Sequence, residues 1–172
     1  MPLLQPVSNT AFAALAAGAL VATIIDIRSR RIPNTLTAAM AGVGVGLAVT
    51  GMSGVTVTAS LGGLLVGLML MMPGHVMGAT GAGDVKLMGG VGAILGVKLV
   101  VTAFLFTAIA GGVLAVAVAL RRRRLAATLA GTGRLIAAPS ALPGELRKSS
   151  AVSRFAYGPA IAIGSVIAAI VG

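Results

Sequence analysis

The stretch TAFAALAAGALVATIIDIRSRRIPN, residues 10 to 34, runs apolar for most of its length and then turns abruptly basic. From about Thr10 to Ile27 its only charged side chain is Asp26, after which Arg28, Arg30 and Arg31 crowd into four positions. Pro33 pushes the residue before it out of the α region and so closes the helix option there. A spanning helix needs about 20 mostly apolar residues, fewer when polar ends dip into the interface. The stretch therefore reads as a membrane helix with a basic stop. A secretory signal peptide has the reverse order, charge before apolar run. Residues 1–10, MPLLQPVSNT, carry no Lys or Arg. The expectation is a retained first helix, its N-terminus outside and its C-terminus in the cytoplasm.

The rest of the chain agrees with that solvent. Of 172 residues 58% are hydrophobic and only 9% charged, with a mean hydropathy of +1.07. A soluble domain of this size lacks the interior to hide so much apolar side chain. There is no cysteine, which excludes disulfides, thiolate zinc sites and a thiol nucleophile. The net charge of +10 invites a nucleic-acid reading, but aromatic residues are only 3%. Stacking platforms are therefore missing, and the basic residues lie beside apolar runs, as in positive-inside membrane proteins.

Further runs follow at about Thr35 to Val49 and Val55 to Met72, the latter ending at the breaker pair Pro73-Gly74. After the loop GHVMGATGAGD comes LMGGVGAILGV, only eleven residues between Lys86 and Lys98. A fifth run, Leu99 to Leu120, stops at Arg121 to Arg124, which read as an anchor on anionic lipid. Residues 121–155 form the only sizeable polar region, and a last run covers about Phe155 to Val171. The fold expected is all-α: one membrane-embedded domain over 1–172, a six-transmembrane-helix bundle with its N-terminus outside. In that topology twelve of the thirteen basic residues lie inside, and only Lys98 lies outside. The pairs Gly42/Gly46, Gly63/Gly67 and Gly92/Gly96 predict close helix packing in lipid.

Asp26 and Asp84 are the only aspartates, and the lone glutamate, Glu145, sits in the polar segment. An ionised carboxylate near hydrocarbon is costly and marks function. The topology puts both aspartates at the cytoplasmic face. Two carboxyls in contact share a proton and titrate as a unit. One then acts as base on a water while the other polarises a scissile carbonyl, as in aspartic proteases. In GAGDVKL, residues 81–87, Gly81 and Gly83 permit close approach of another chain. Lys86 adds positive potential at the mouth. Arg28, Arg30 and Arg31 read as topology anchors, and Pro33 and Asn34 as the turn into the second helix.

GAGDVK at 81–86 resembles the G-x-G-D motif of intramembrane aspartyl proteases. DIRSRRIPN at 26–34 is similar to the other half of the type IV prepilin peptidase signature, and RFAYGPAIAIG at 154–164 to that family's last helix. Presenilin-type proteases share G-x-G-D, but their first aspartate normally follows a tyrosine, where this chain has Ile25. The resemblance implies an aspartic endopeptidase of the bacterial inner membrane. It implies a prepilin substrate with a basic leader, a glycine before the cleavage site and an apolar helix. It carries the catalytic roles to Asp26 and Asp84, with Gly81, Gly83, Lys86, Arg28, Pro33 and Asn34 as motif and loop support. Without the paired cysteines of the bifunctional, N-methylating members, the chain looks like the small peptidase-only form serving tight-adherence (Flp-type) pili.

The competing reading is a small proton-coupled transporter or channel with the two aspartates as relay; a non-catalytic scaffold is a third. A transporter places its key acids near the midplane. No cofactor or metal is expected. His75 lies among Met69, Met71, Met72 and Met77, but it is a single imidazole, and methionine is ordinary apolar filling.

Overall fold

A computed structural model describes residues 7–121 and 157–172. Among these residues all regular structure is helical: α1 (Asn9–Ser29), α2 (Asn34–Val49), α3 (Val57–Val76), α4 (Ala82–Arg121) and α5 (Gly158–Val171). The polar segment expected over 121–155 lies outside the described residues, Arg121 excepted.

Local chemistry sets the ends. Ser8 caps α1, its Oγ accepting the Ala11 N–H at 3.2 Å and so satisfying one of the free donors of a helix start. The Ser8 and Thr10 hydroxyls also donate to the Met52 carbonyl, at 2.7 and 2.6 Å, which ties the start of α1 to the α2–α3 turn. Arg30, with φ 52°, ends α1 in the left-handed region. Pro33 precedes the first residue of α2.

Two expected boundaries shift. α3 does not stop at Pro73-Gly74 but continues to Val76. Proline lacks a donor and crowds the carbonyl four residues back, but the Pro73 carbonyl still accepts the Met77 N–H at 3.0 Å and completes one more turn. The fourth and fifth apolar runs follow one another in a single unbroken stretch, α4, where a loop between two helices was expected. The two runs pass into each other through Gly96 alone (φ 78°, ψ 177°), with no loop between them. This is a reversal. Val100 packs within 3.1 Å of the place a side chain on Gly92 would occupy, whereas eight residues of straight helix span about 12 Å. α4 thus has two antiparallel limbs meeting at Gly96.

The first limb is the centre of the molecule. Leu87, Met88 and Val91 are fully buried, and Ile94 is nearly so. α3 packs against this limb backbone to backbone: a side chain at Gly63 would collide with the Gly92 carbonyl, and one at Gly67 with that of Met88. α2 approaches from another side, Gly44 against Ala93 and Ile94. α5 lies along the second limb, Gly164 against Thr107 and Tyr157 against Gly111. Of the glycine pairs, Gly63/Gly67 therefore packs as expected, while Gly42 and Gly46 face open space.

The outer surface is apolar, with Leu20, Leu65, Ile109 and Val113 each more than half exposed. So large an apolar exterior suits lipid. Three stretches are long and apolar enough to cross a membrane, Asn9–Ser29, Val57–Val76 and Ala82–Ala117; α2 and α5 are shorter. One end of the bundle gathers Ser8, Thr10, Met52, Gly96 and Gly172. The opposite end gathers Asp26, Ile32, Gly83, Asp84 and Gly158.

Candidate active site

Asp26 lies one turn before the end of α1, and it is buried although Ile27 and Arg28 beside it are exposed. Its carbonyl accepts the Arg30 N–H at 2.8 Å, and Ser29 Oγ lies 2.8 Å from the Ile25 carbonyl. These bonds finish the helix and start the chain back across the same end. Asp84 sits in the first turn of α4 and is also buried. Its Oδ2 accepts the Gly81 N–H at 2.8 Å, the reach-back bond by which an acidic residue in the first turn satisfies the donor just before a helix.

The two aspartates lie at the same end of the bundle: Gly83, beside Asp84, packs on Ile32 of the loop that follows Asp26. Asp26 takes its own hydrogen bond from α5: the Gly158 N–H donates to Oδ2 at 2.8 Å, across 132 positions of sequence. Three helices thus converge on one buried acidic pair.

The supporting residues divide. Gly83 meets Ile32: a side chain there would lie 3.0 Å from Ile32 Cβ and 3.3 Å from the Ile32 carbonyl oxygen. The room read as space for another chain is thus filled at Gly83 by the protein's own first motif. Gly81 is exposed and supplies the donor to Asp84. Lys86 is exposed and donates from Nζ to Asn34 Oδ1 at 2.8 Å, joining the two motifs. Pro33 lies in the connecting loop, exposed, and Arg28 is exposed at the rim. His75 is exposed as well, with Nδ1 3.2 Å from the Thr80 carbonyl oxygen.

Sequence reasoning missed three neighbours. Ile32 is buried in the seam between the motifs. Gly158 reaches Asp26. Tyr157, half-buried, has its phenol pushed up from the ordinary 10.0 by burial and, second, by the Asp84 charge. The signal for the last two was Pro159, which marks a helix start; the partner of that start was not legible.

The type IV leader peptidase family model matches residues 13–116. The chain belongs to that family. No curated protein and no solved structure matches it. The matched span of this leader peptidase runs from α1 into the second limb of α4 and so contains both aspartates and the Gly96 reversal. α5, which donates to Asp26, lies beyond it.

Proposed function

We propose that this leader peptidase is an aspartic endopeptidase of the bacterial inner membrane that removes the leader of type IV, Flp-like prepilins at the cytoplasmic face. All six helical segments, counting the limbs of α4 separately, lie in the bilayer with the N-terminus outside. Asp26 and Asp84 share a proton. The ionised carboxyl takes a proton from a water, which attacks the scissile carbonyl, while the protonated one stabilises the developing oxyanion. The proton taken by the base then passes to the leaving amine.

The single observation that supports this reading is the placement of two buried aspartates, from α1 and α4, at one end of the bundle. The same placement weighs against a proton-relay transporter, whose acids belong at mid-depth. The basic leader of the substrate stays in the aqueous phase at that end, and its apolar helix lies in lipid beside the bundle.

The test is cleavage of a prepilin of that pattern by the reconstituted full chain. Asp26→Asn and Asp84→Asn each abolish cleavage while helix content is kept. Full cleavage by either variant sinks the reading.

A further inference from the structure

Asp26 and Asp84 are held by different devices. Asp84 lies at the N-terminus of its own helix and takes its hydrogen bond from its own loop, three residues away. Asp26 lies near the C-terminus of α1, where the carbonyl ends of the helix disfavour a negative charge. Its compensation comes from another helix. The first residue of α5 points its N–H at Asp26 Oδ2, and the positive end of the α5 dipole lies beside the carboxyl. Gly158 is buried, and a side chain built there would lie 2.8 Å from that same oxygen and 3.0 Å from Asp26 Cβ. The contact has no slack for even a methyl group.

We infer that Gly158 is a positioning residue for Asp26: its backbone N–H holds the carboxylate in place and stabilises the ionised form, and only glycine leaves the room that the carboxylate fills. α5 thereby completes the acidic pair from outside the span that the family match covers. The consequence for cleavage rests on the peptidase reading above. The bond itself is tested without it.

The chain has only two aspartates, so Asp84→Asn leaves Asp26 as the sole aspartate carboxyl. With 13Cγ-aspartate in the full chain in lipid nanodiscs, its titration is read directly by NMR or infrared. A donor to the charged form lowers a carboxyl pKa, so its loss raises it. Adding Gly158→Ala to Asp84→Asn moves the midpoint up. Gly164→Ala, on the same helix but against Thr107, disturbs α5 packing and leaves that midpoint in place. An unchanged midpoint in folded Gly158→Ala, or an equal rise in Gly164→Ala, overturns the inference.

Where Gly158→Ala fails to fold, the unaltered chain decides. The Gly158 amide proton resonance follows the Asp26 carboxyl with the same midpoint, and an amide that ignores that titration overturns the inference. In cleavage, Gly158→Ala loses rate and shifts the acid limb of the pH profile upward. Rate loss without the shift is mere structure and also overturns it. Cleavage that survives Asp26→Asn instead sinks the peptidase reading and leaves the bond to stand or fall on the titration.

Discussion

Lys86 Nζ and Asn34 Oδ1, 52 positions apart in sequence, share a 2.8 Å hydrogen bond that joins the start of α2 to the start of α4. The bond is exposed, so solvent competes for both partners. It aligns two motifs whose buried members already meet.

Removing it therefore costs little. Lys86→Met and Asn34→Ala each lower stability by no more than about 1 kcal/mol. The double variant loses no more than the worse single one, since the two side chains act as a pair. Thermal unfolding in detergent checks this. Cleavage falls by less than about tenfold.

The seam beneath that bond is less forgiving. Gly83→Ala places a methyl group 3.0 Å from Ile32 Cβ, and overpacking of this kind costs about 1–3 kcal/mol. Ile32→Ala keeps the Cβ, carbonyl and amide that crowd the new methyl group, so it gives no relief and the two losses add. A double-mutant cycle on unfolding midpoints checks this.

The glycines of α3 and α2 separate in the same assay. Gly63→Ala drives a methyl group into the Gly92 carbonyl and destabilises by about 1–3 kcal/mol. Gly42→Ala meets nothing within 4 Å. It is neutral or stabilising by up to about 1 kcal/mol, because alanine is the better helix former. Equal losses at the two positions exclude the close α3–α4 contact.

Tyr157 is the only tyrosine, and there is no tryptophan, so near-ultraviolet absorbance reports its ionisation alone. Burial first, and the Asp84 charge second, raise its pKa above 10.0. In the unfolded chain the phenol gives up its proton near 10; in the fold it holds it longer. Stability from this group is thus intact below pH 10 and falls as pH rises past it. Asp84→Asn removes the second cause and lowers the folded midpoint.

Much of this was legible in the sequence, for reasons that differ by residue. Apolar run lengths located α1, α2 and α3, because lipid demands uninterrupted apolar length and basic stops. Asp26 and Asp84 were legible because carboxylates are rare in such a chain. The union of the fourth and fifth runs was not. A turn made by one glycine leaves no polar loop to read, and Gly96 is one of 25 glycines. Pro73 misled because proline bars a donor but not an acceptor, so one more turn formed. Gly158 was invisible as a partner of Asp26, since spacing along the chain says nothing of which helix start meets which helix end.

The reversal at Gly96 has a bearing on biosynthesis. With no loop between the limbs of α4, the first limb has nowhere to pause while the second is still being translated. Its residues from Leu87 to Gly96 are buried all round, so its surroundings are complete only when α2, α3 and the second limb are all in place. The two limbs therefore reach their final packing as one hairpin, against the surface that α2 and α3 line.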